Sequence, residues 1–252
     1  MALEEGRLDY FGASRPAADA VLVTPADRAA AVDFCYEKVD GHDLDRDTVA
    51  MAMNAVDGFL SQPSHLARDA LRDLRLYRLV VAAALSLCVE ASEGRPLVVP
   101  GHDVQEKALG LMTSHLRRAL GERVHAPTGL QIARRILSLA LRVDLEESRW
   151  GLILDLVLFQ TEYAVRDYFF STRSPSILAV AAVLNTFDQI TGQDRQTLRR
   201  GLLRVLPAFV SDSCPREDLL VAKERLEHVL EPDDSFVESR PVSPTTILGQ
   251  LR

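Results

Sequence analysis

The stretch TVAMAMNAVDGFLS, Thr48 to Ser61, decides the fold class, because its apolar residues recur at the spacing of one helix face. These positions are Val49, Ala52, Met53, Val56, Phe59 and Leu60. One acid, Asp57, interrupts the apolar face. Charged side chains are rarely buried unless they are paired. The stretch therefore predicts a helix that carries a partnered carboxylate.

The partner predicted for Asp57 is Arg28. Pro25 suits a first helical position and Asp27 suits a capping box, so a helix is expected from Pro25 to about Val39. Arg28 lies near the start of that helix, and antiparallel packing would bring it beside the end of the next one. A guanidinium and a carboxylate can then form a two-pronged contact. The alternative is that Asp57 lies at the helix rim in water.

The remaining chain shows helical spacing almost throughout and no sustained strand-type alternation, which predicts an all-α fold. Two runs are apolar on nearly all sides: LVVAAALSLCV, within a helix expected from about Leu71 to Glu90, and PSILAVAAVLN, which starts at Pro175. Such helices lie in the middle of bundles. We therefore predict two tandem five-helix bundles, each built around its third helix.

The domain boundaries follow from composition and from the turn signals between helices. We predict an N-terminal arm at 1–22, a first domain at 23–124 and a second domain at 125–230. The segment 231–252 has the low hydrophobicity and the prolines of a flexible tail.

Composition excludes several classes of function. The net charge of -7 and the pI near 5.4 argue against a nucleic-acid partner, because phosphate binding needs a basic excess. Three separated cysteines argue against a disulfide framework and for a reducing compartment. No apolar run is long enough to cross a membrane. We expect a nuclear or cytoplasmic protein, or both.

No catalytic constellation is visible in the sequence. The six histidines are dispersed, so no metal site is expected, and no glycine-rich phosphate loop predicts a cofactor. Without a nucleophile or base arrangement the chain is not expected to be an enzyme. Several arginine clusters are interpreted as ordinary helix surface, with an acidic-partner surface as the alternative. They are Arg117 and Arg118, Arg134 and Arg135, and Arg199, Arg200 and Arg204.

Five stretches of the sequence resemble the cyclin family. DRAAAVDF at 27–34 is similar to M-R-A-x-L-x-D-W in the first cyclin-box helix, and MAMNAVDGFLS is similar to L-A-V-x-x-x-D-R-F-L-S in the second. YRLVVAAALSLCVEASE resembles the third helix, and APT at 126–128 resembles the junction between the two boxes. YFFSTRSPSILAVAAVL resembles the start of the second central helix. The resemblance implies two cyclin-box folds and, at Arg28 and Asp57, the family's buried ion pair.

The resemblance also implies a function. Cyclins bind and activate a cyclin-dependent serine/threonine kinase and perform no chemistry themselves. The kinase-facing positions align with Leu79, Glu90, Glu93 and Thr113. Glu90 replaces the family's Lys and Thr113 replaces its Glu. The segment before Thr113 is also shorter than in the family, so a fourth helix reduced to a turn is expected at RPLVVPGHD, 95–103.

A second family site, the patch that docks kinase substrates, is degenerate in this sequence. Its positions align with Asp27, Ala31, Phe34, Glu37 and Tyr77. Because Met and Leu of the family become Asp27 and Ala31, apolar area is lost and substrate docking is expected to be weak.

Two further function classes stay open. One is a cyclin-fold scaffold without kinase activation, favoured by Glu90 and Thr113. The other is a transcription-associated cyclin-fold protein, which the acidic pI disfavours. The expected partner is a cyclin-dependent kinase, in a heterodimer that contains one copy of this chain. Substrates of the kinase are a further candidate partner. Ser243, before Pro244, is a candidate phosphorylation site, whereas Ser174, before Pro175, is interpreted as a helix N-cap.

Overall fold

The structure is a computed structural model of the 252-residue chain. It describes residues 23–94, 103–121, 124, 126–140, 147–190, 194–209 and 215–230. Every regular element within these ranges is helical and no strand occurs there, so the all-α prediction is confirmed for the described residues.

The chain divides into two compact units. The first contains Met1–Thr128 and Val165–Thr172, and the second contains Gly129–Ala164 and Arg173–Arg252. The predicted division lay between 124 and 125. The arm at 1–22 and the tail at 231–252 lie outside the described residues.

The first unit begins with two helices, and the first of them starts at Pro25 as the sequence predicts. α1 (Pro25–Gly41) starts with a complete capping box between Thr24 and Asp27, and Pro25 occupies the first turn. α2 spans Asp47–Leu60. The hydroxyl of Ser61 donates to the Asp57 carbonyl at 2.7 Å just beyond the end of α2.

The predicted third helix is two helices in the structure. α3 (His65–Arg72) is a short helix that the sequence analysis did not predict, and α4 (Leu74–Glu93) follows it. Asp73 separates them, because its backbone is extended at φ -121° and its carboxylate caps α4 by accepting from the Arg75 N–H at 2.8 Å. The expected start at Leu71 was therefore wrong.

α4 is the centre of the first unit. It packs against α1, α2, α3 and α5 (Asp103–Leu120), and residues on all its sides are buried. The buried apolar residues are Val80, Val81, Ala83, Ala84, Leu85, Leu87, Cys88 and Val89. α4 ends at Gly94, whose φ of +68° is a left-handed conformation that favours glycine. The turn predicted at 95–103 lies, as far as His102, outside the described residues.

The second unit is built around α9 (Pro175–Gln189). α9 packs against α6 (Gly129–Ala140), α10 (Asp194–Val205) and α11 (Arg216–Leu230). The Ser174 hydroxyl accepts from the Ser176 N–H at 3.2 Å, which makes Ser174 the N-cap of α9. Most of α7 (Glu147–Arg166) also belongs to the second unit, whereas the single turn α8 (Tyr168–Ser171) belongs to the first. A 3₁₀ turn, Leu206–Ala208, follows α10.

Candidate functional site

Arg28 and Asp57 form a buried ion pair in the first unit. Arg28 Nε donates to Asp57 Oδ1 at 3.2 Å, and Arg28 Nη2 donates to Asp57 Oδ2 at 2.8 Å. The two residues are 2% and 1% exposed. Two parallel bonds from one guanidinium fix both helices at a defined register. The structure thus brings together the two residues that the sequence singled out.

The third nitrogen of the Arg28 guanidinium bonds to a residue that is distant in the sequence. Its Nη1 donates to the carbonyl oxygen of Val165 at 2.6 Å. Val165 belongs to the 165–172 segment that is part of the first unit. The same segment is held a second time, because Arg166 forms an ion pair with Asp33 of α1. One buried arginine therefore joins α1, α2 and the segment 165–172.

Tyr77 of α4 lies against this ion pair and has no exposed surface. Burial raises the pKa of its hydroxyl, and the nearby negative charge of Asp57 raises that pKa further. Its hydroxyl oxygen has no hydrogen-bond partner among the described residues. Tyr77, which aligns with the substrate-docking patch, is thus a core residue that offers no surface to a substrate.

The other positions aligned with the docking patch are mostly engaged within α1 or buried. The Asp27 carboxylate accepts from the Thr24 N–H at 2.9 Å, and hydrogen bonds from Thr24 lower the pKa of Asp27. Ala31 is buried, and the Lys38 ammonium lies 5.4 Å from the centre of the Phe34 ring. Glu37 is exposed and pairs with Lys38. The apolar surface that docking needs is therefore small here.

The four residues that align with kinase-facing positions of the cyclin family lie on α4 and α5, which pack against each other. Leu79 is half-buried on α4, and Glu93 is its exposed last residue. Thr113 on α5 is half-buried and donates its hydroxyl to the Leu109 carbonyl at 2.8 Å. The Thr113 hydroxyl proton is therefore used within its own helix.

Glu90 has a partner in its own chain. Arg117 of α5 donates from Nη2 to Glu90 Oε2 at 2.9 Å, and the two side chains are 58% and 42% exposed. Arg117 was predicted to be ordinary helix surface, so its pairing with Glu90 is a correction to that interpretation. Because water reaches both charged groups, nothing in the sequence required the pairing.

A buried polar cluster lies in the second unit. Gln160 of α7 has no exposed surface, and its Nε2 donates to Leu156 O at 3.2 Å, Ala182 O at 3.2 Å and Thr186 Oγ1 at 2.9 Å. Asn185 is also fully buried and donates to the Lys223 carbonyl at 2.9 Å. These bonds tie α7 to α9 and α9 to α11, so we assign the cluster a structural role.

Neither a metal-binding cluster nor a membrane-spanning helix occurs in the described residues. No group of histidine, cysteine and acidic side chains suitable for a metal ion occurs within them. None of the described helices combines the length and apolarity needed to cross a membrane. Ser243 lies outside the described residues.

No protein-family model matches this chain, and a comparison with curated proteins also finds no match.

Proposed function

We propose that this chain is a cyclin-like regulatory subunit that binds and activates a cyclin-dependent serine/threonine kinase in cell-cycle control. The observation that carries the proposal is the buried pair of Arg28 and Asp57, 2.8 Å apart at the closest. Both residues stand at the positions where the sequence resembles the cyclin-box motifs. The all-helical fold and its two compact units are compatible with two cyclin boxes, and a nuclear or cytoplasmic location would suit this role.

In this proposal the contact surface is formed by α4 and α5. Leu79, Glu90, Glu93 and Thr113 would meet the small lobe of the kinase. Binding would stabilise the inward position of the kinase αC helix, which completes the Lys–Glu ion pair needed for phosphoryl transfer. The chain itself supplies no reacting group, and it acts through its different affinity for two kinase conformations.

A second candidate function is a cyclin-fold scaffold that binds other proteins without activating a kinase. The ion pair between Glu90 and Arg117 favours it. A carboxylate only accepts hydrogen bonds, so Glu90 cannot donate to kinase carbonyls as a lysine can. Arg117 also neutralises the charge that Glu90 would offer to a kinase with a basic contact.

The experiment is affinity capture from the native cell with tagged protein, followed by identification of kinases and assay of histone phosphorylation. Three variants accompany the wild type. Glu90→Lys introduces the lysine of the cyclin family but places it beside the positive charge of Arg117. The double variant Glu90→Lys/Arg117→Glu introduces the same lysine and keeps an ion pair, with the two charges exchanged. Glu224→Lys, an exposed position on α11, controls for the same change of charge elsewhere.

The outcomes separate the two functions. The cyclin proposal expects wild type and Glu224→Lys to recover a kinase and its activity in near-equal amount. Recovery by the double variant alone would favour the scaffold, because the fold then needs a restored lysine to hold a kinase. Recovery by none of the four proteins would overturn the kinase proposal.

A further inference from the structure

The exposed face of α10 is strongly basic and carries one apolar residue. We call it the α10 arginine face and define it as Arg199, Arg200, Leu203 and Arg204. All four side chains are exposed, and Leu203 is 61% exposed. Their spacing of i, i+1, i+4 and i+5 places them together on one side of the helix. Leu203 thus lies among three guanidinium groups.

The opposite side of α10 fixes the helix on its own unit. Leu198 and Leu202 are buried there. A side chain at Gly201 would collide with the carbonyl oxygen of Ala140, the last residue of α6. This close approach leaves α10 little freedom to turn. The α10 arginine face therefore keeps its outward position.

The positive charge of this region is not neutralised within the described residues. Arg199, Arg200 and Arg204 form no ion pair there, and neither do Arg134 and Arg135 on the exposed face of α6. The sequence of α6 contains no acid, and the only acid in the sequence of α10 is its first residue. In a chain with a net charge of -7, so many arginines without acids are a local exception.

We propose that the α10 arginine face binds an acidic segment of a partner protein that also carries an apolar side chain. The arginines would pair with carboxylates, for which a guanidinium fork is well suited. Leu203 would pack against the apolar side chain and remove both from water. An exposed leucine among arginines that form no ion pair in the described part of the chain matches this amphipathic chemistry. The inference does not depend on the kinase proposal.

A protein segment fits the observations better than a nucleic acid. The net charge of -7 repels a polyanion at long range, whereas a short acidic segment carries less charge. A phosphate backbone would also leave Leu203 without an apolar contact. Nucleic acid is accordingly the competing outcome of the test.

The test uses the full chain and a fluorescein-labelled peptide of alternating Asp and Glu around a central Leu-Phe pair. A second peptide of equal charge has Ser-Ser in place of Leu-Phe. Binding is followed by fluorescence anisotropy at low and at physiological salt, with a single-stranded oligonucleotide as the competing probe. The variants are Arg200→Gln/Arg204→Gln and Leu203→Ser. Arg72→Gln/Arg75→Gln, two exposed arginines of the first unit, is the matched control.

We expect the Leu-Phe peptide to bind wild type and the control equally, and more weakly as salt rises. Arg200→Gln/Arg204→Gln should weaken binding by about three- to tenfold, as expected for two exposed charge pairs. Leu203→Ser should weaken binding of the Leu-Phe peptide several-fold and leave binding of the Ser-Ser peptide unchanged. Since all the altered side chains are exposed, unchanged circular dichroism should show that the variants fold.

Three results would overturn the proposal. The first is no saturable binding of the Leu-Phe peptide. The second is a loss of peptide binding in the control variant that equals the loss in Arg200→Gln/Arg204→Gln, which would indicate nonspecific charge attraction. The third is tighter binding of the oligonucleotide that depends on the arginines and not on Leu203, which assigns the face to nucleic acid.

Discussion

Arg28 contacts Asp57 through two different nitrogen atoms, Nε at 3.2 Å and Nη2 at 2.8 Å, each on its own carboxylate oxygen. With Nη1 on the Val165 carbonyl, every nitrogen of the guanidinium is engaged. The ammonium of a lysine is a compact point charge and cannot reproduce this fork. The pair is therefore specific to arginine.

Asp57→Asn is expected to lower the free energy of unfolding by about 3–5 kcal/mol, because it leaves the Arg28 charge buried without a counter-charge. The shift in the urea midpoint, with circular dichroism as the probe, measures this loss. Asp40→Asn is the control, since Asp40 pairs with Arg46 at the surface, where the two side chains are 49% and 32% exposed. That variant should change stability by less than about 1 kcal/mol. Equal effects of the two substitutions would show that burial of the pair is energetically unimportant.

Replacement of two different glycines by alanine should change the stability of the protein in opposite directions. Gly201→Ala must displace the Ala140 backbone oxygen, so we expect a loss of about 1–3 kcal/mol. Gly110 on α5 has open space where the methyl group would lie, so Gly110→Ala should gain up to about 1 kcal/mol from helix propensity. Thermal unfolding of both variants measures the contrast. A stabilised Gly201→Ala protein would mean that α6 and α10 separate without cost.

Alkaline pH should weaken the first unit through two buried thiols. Burial raises the pKa of Cys35 and Cys88 from 9.0 to about 12. Above pH 9 the unfolded chain releases these protons and the folded chain retains them, so stability is full below pH 9 and falls as pH rises towards 12. Each thiol contributes a loss of up to about 1.4 kcal/mol per pH unit.

Urea midpoints between pH 8 and about pH 11 measure this slope. The double variant Cys35→Ala/Cys88→Ala should decline less steeply than wild type, although burial also raises the pKa of Tyr77 and leaves a residual slope. Identical slopes for the two proteins would contradict the assignment to the thiols.

Gln160 should tolerate a neutral replacement better than a charged one. Its Nε2 donates to three acceptors, so Gln160→Met loses these bonds at a cost of about 1–3 kcal/mol. Gln160→Glu places a carboxylate against the same oxygen atoms and should cost on the order of 3–5 kcal/mol at pH 7. Denaturant titration compares the two variants. Acidification should recover part of the Gln160→Glu loss, since a protonated carboxyl can donate, and a pH-independent loss would refute the charge argument.

Local signals in the sequence were sufficient for much of the helical framework. Thr24, Pro25 and Asp27 predict the start of α1 because capping depends on neighbouring residues alone. The interruption at Asp73 was missed, because its flanks are good helix formers and an aspartate can lie inside a helix or cap one. Only the tertiary packing of α3 and α4 decides between these alternatives.

Side-chain pairing was predictable only where a strong constraint existed. An acid on an apolar face demands a partner, which pointed to Arg28. The contact between Glu90 and Arg117 lies at the surface, where charges need no partner, so nothing in the sequence required it. The Val165 carbonyl was beyond prediction for another reason, since every residue has a carbonyl group and no side-chain signal distinguishes this one.

The bond from Arg28 to Val165 also has a consequence for the order in which the protein is made. The first unit includes 165–172, yet 129–164 belong to the second unit. At a synthesis rate of about 5–20 residues per second, the ribosome delivers Val165 roughly 2–7 s after Thr128. During that interval the nascent chain holds α1, α2 and their ion pair without the acceptor of Arg28 Nη1. The first unit is therefore the first to begin folding, and it cannot finish until much of the second has emerged.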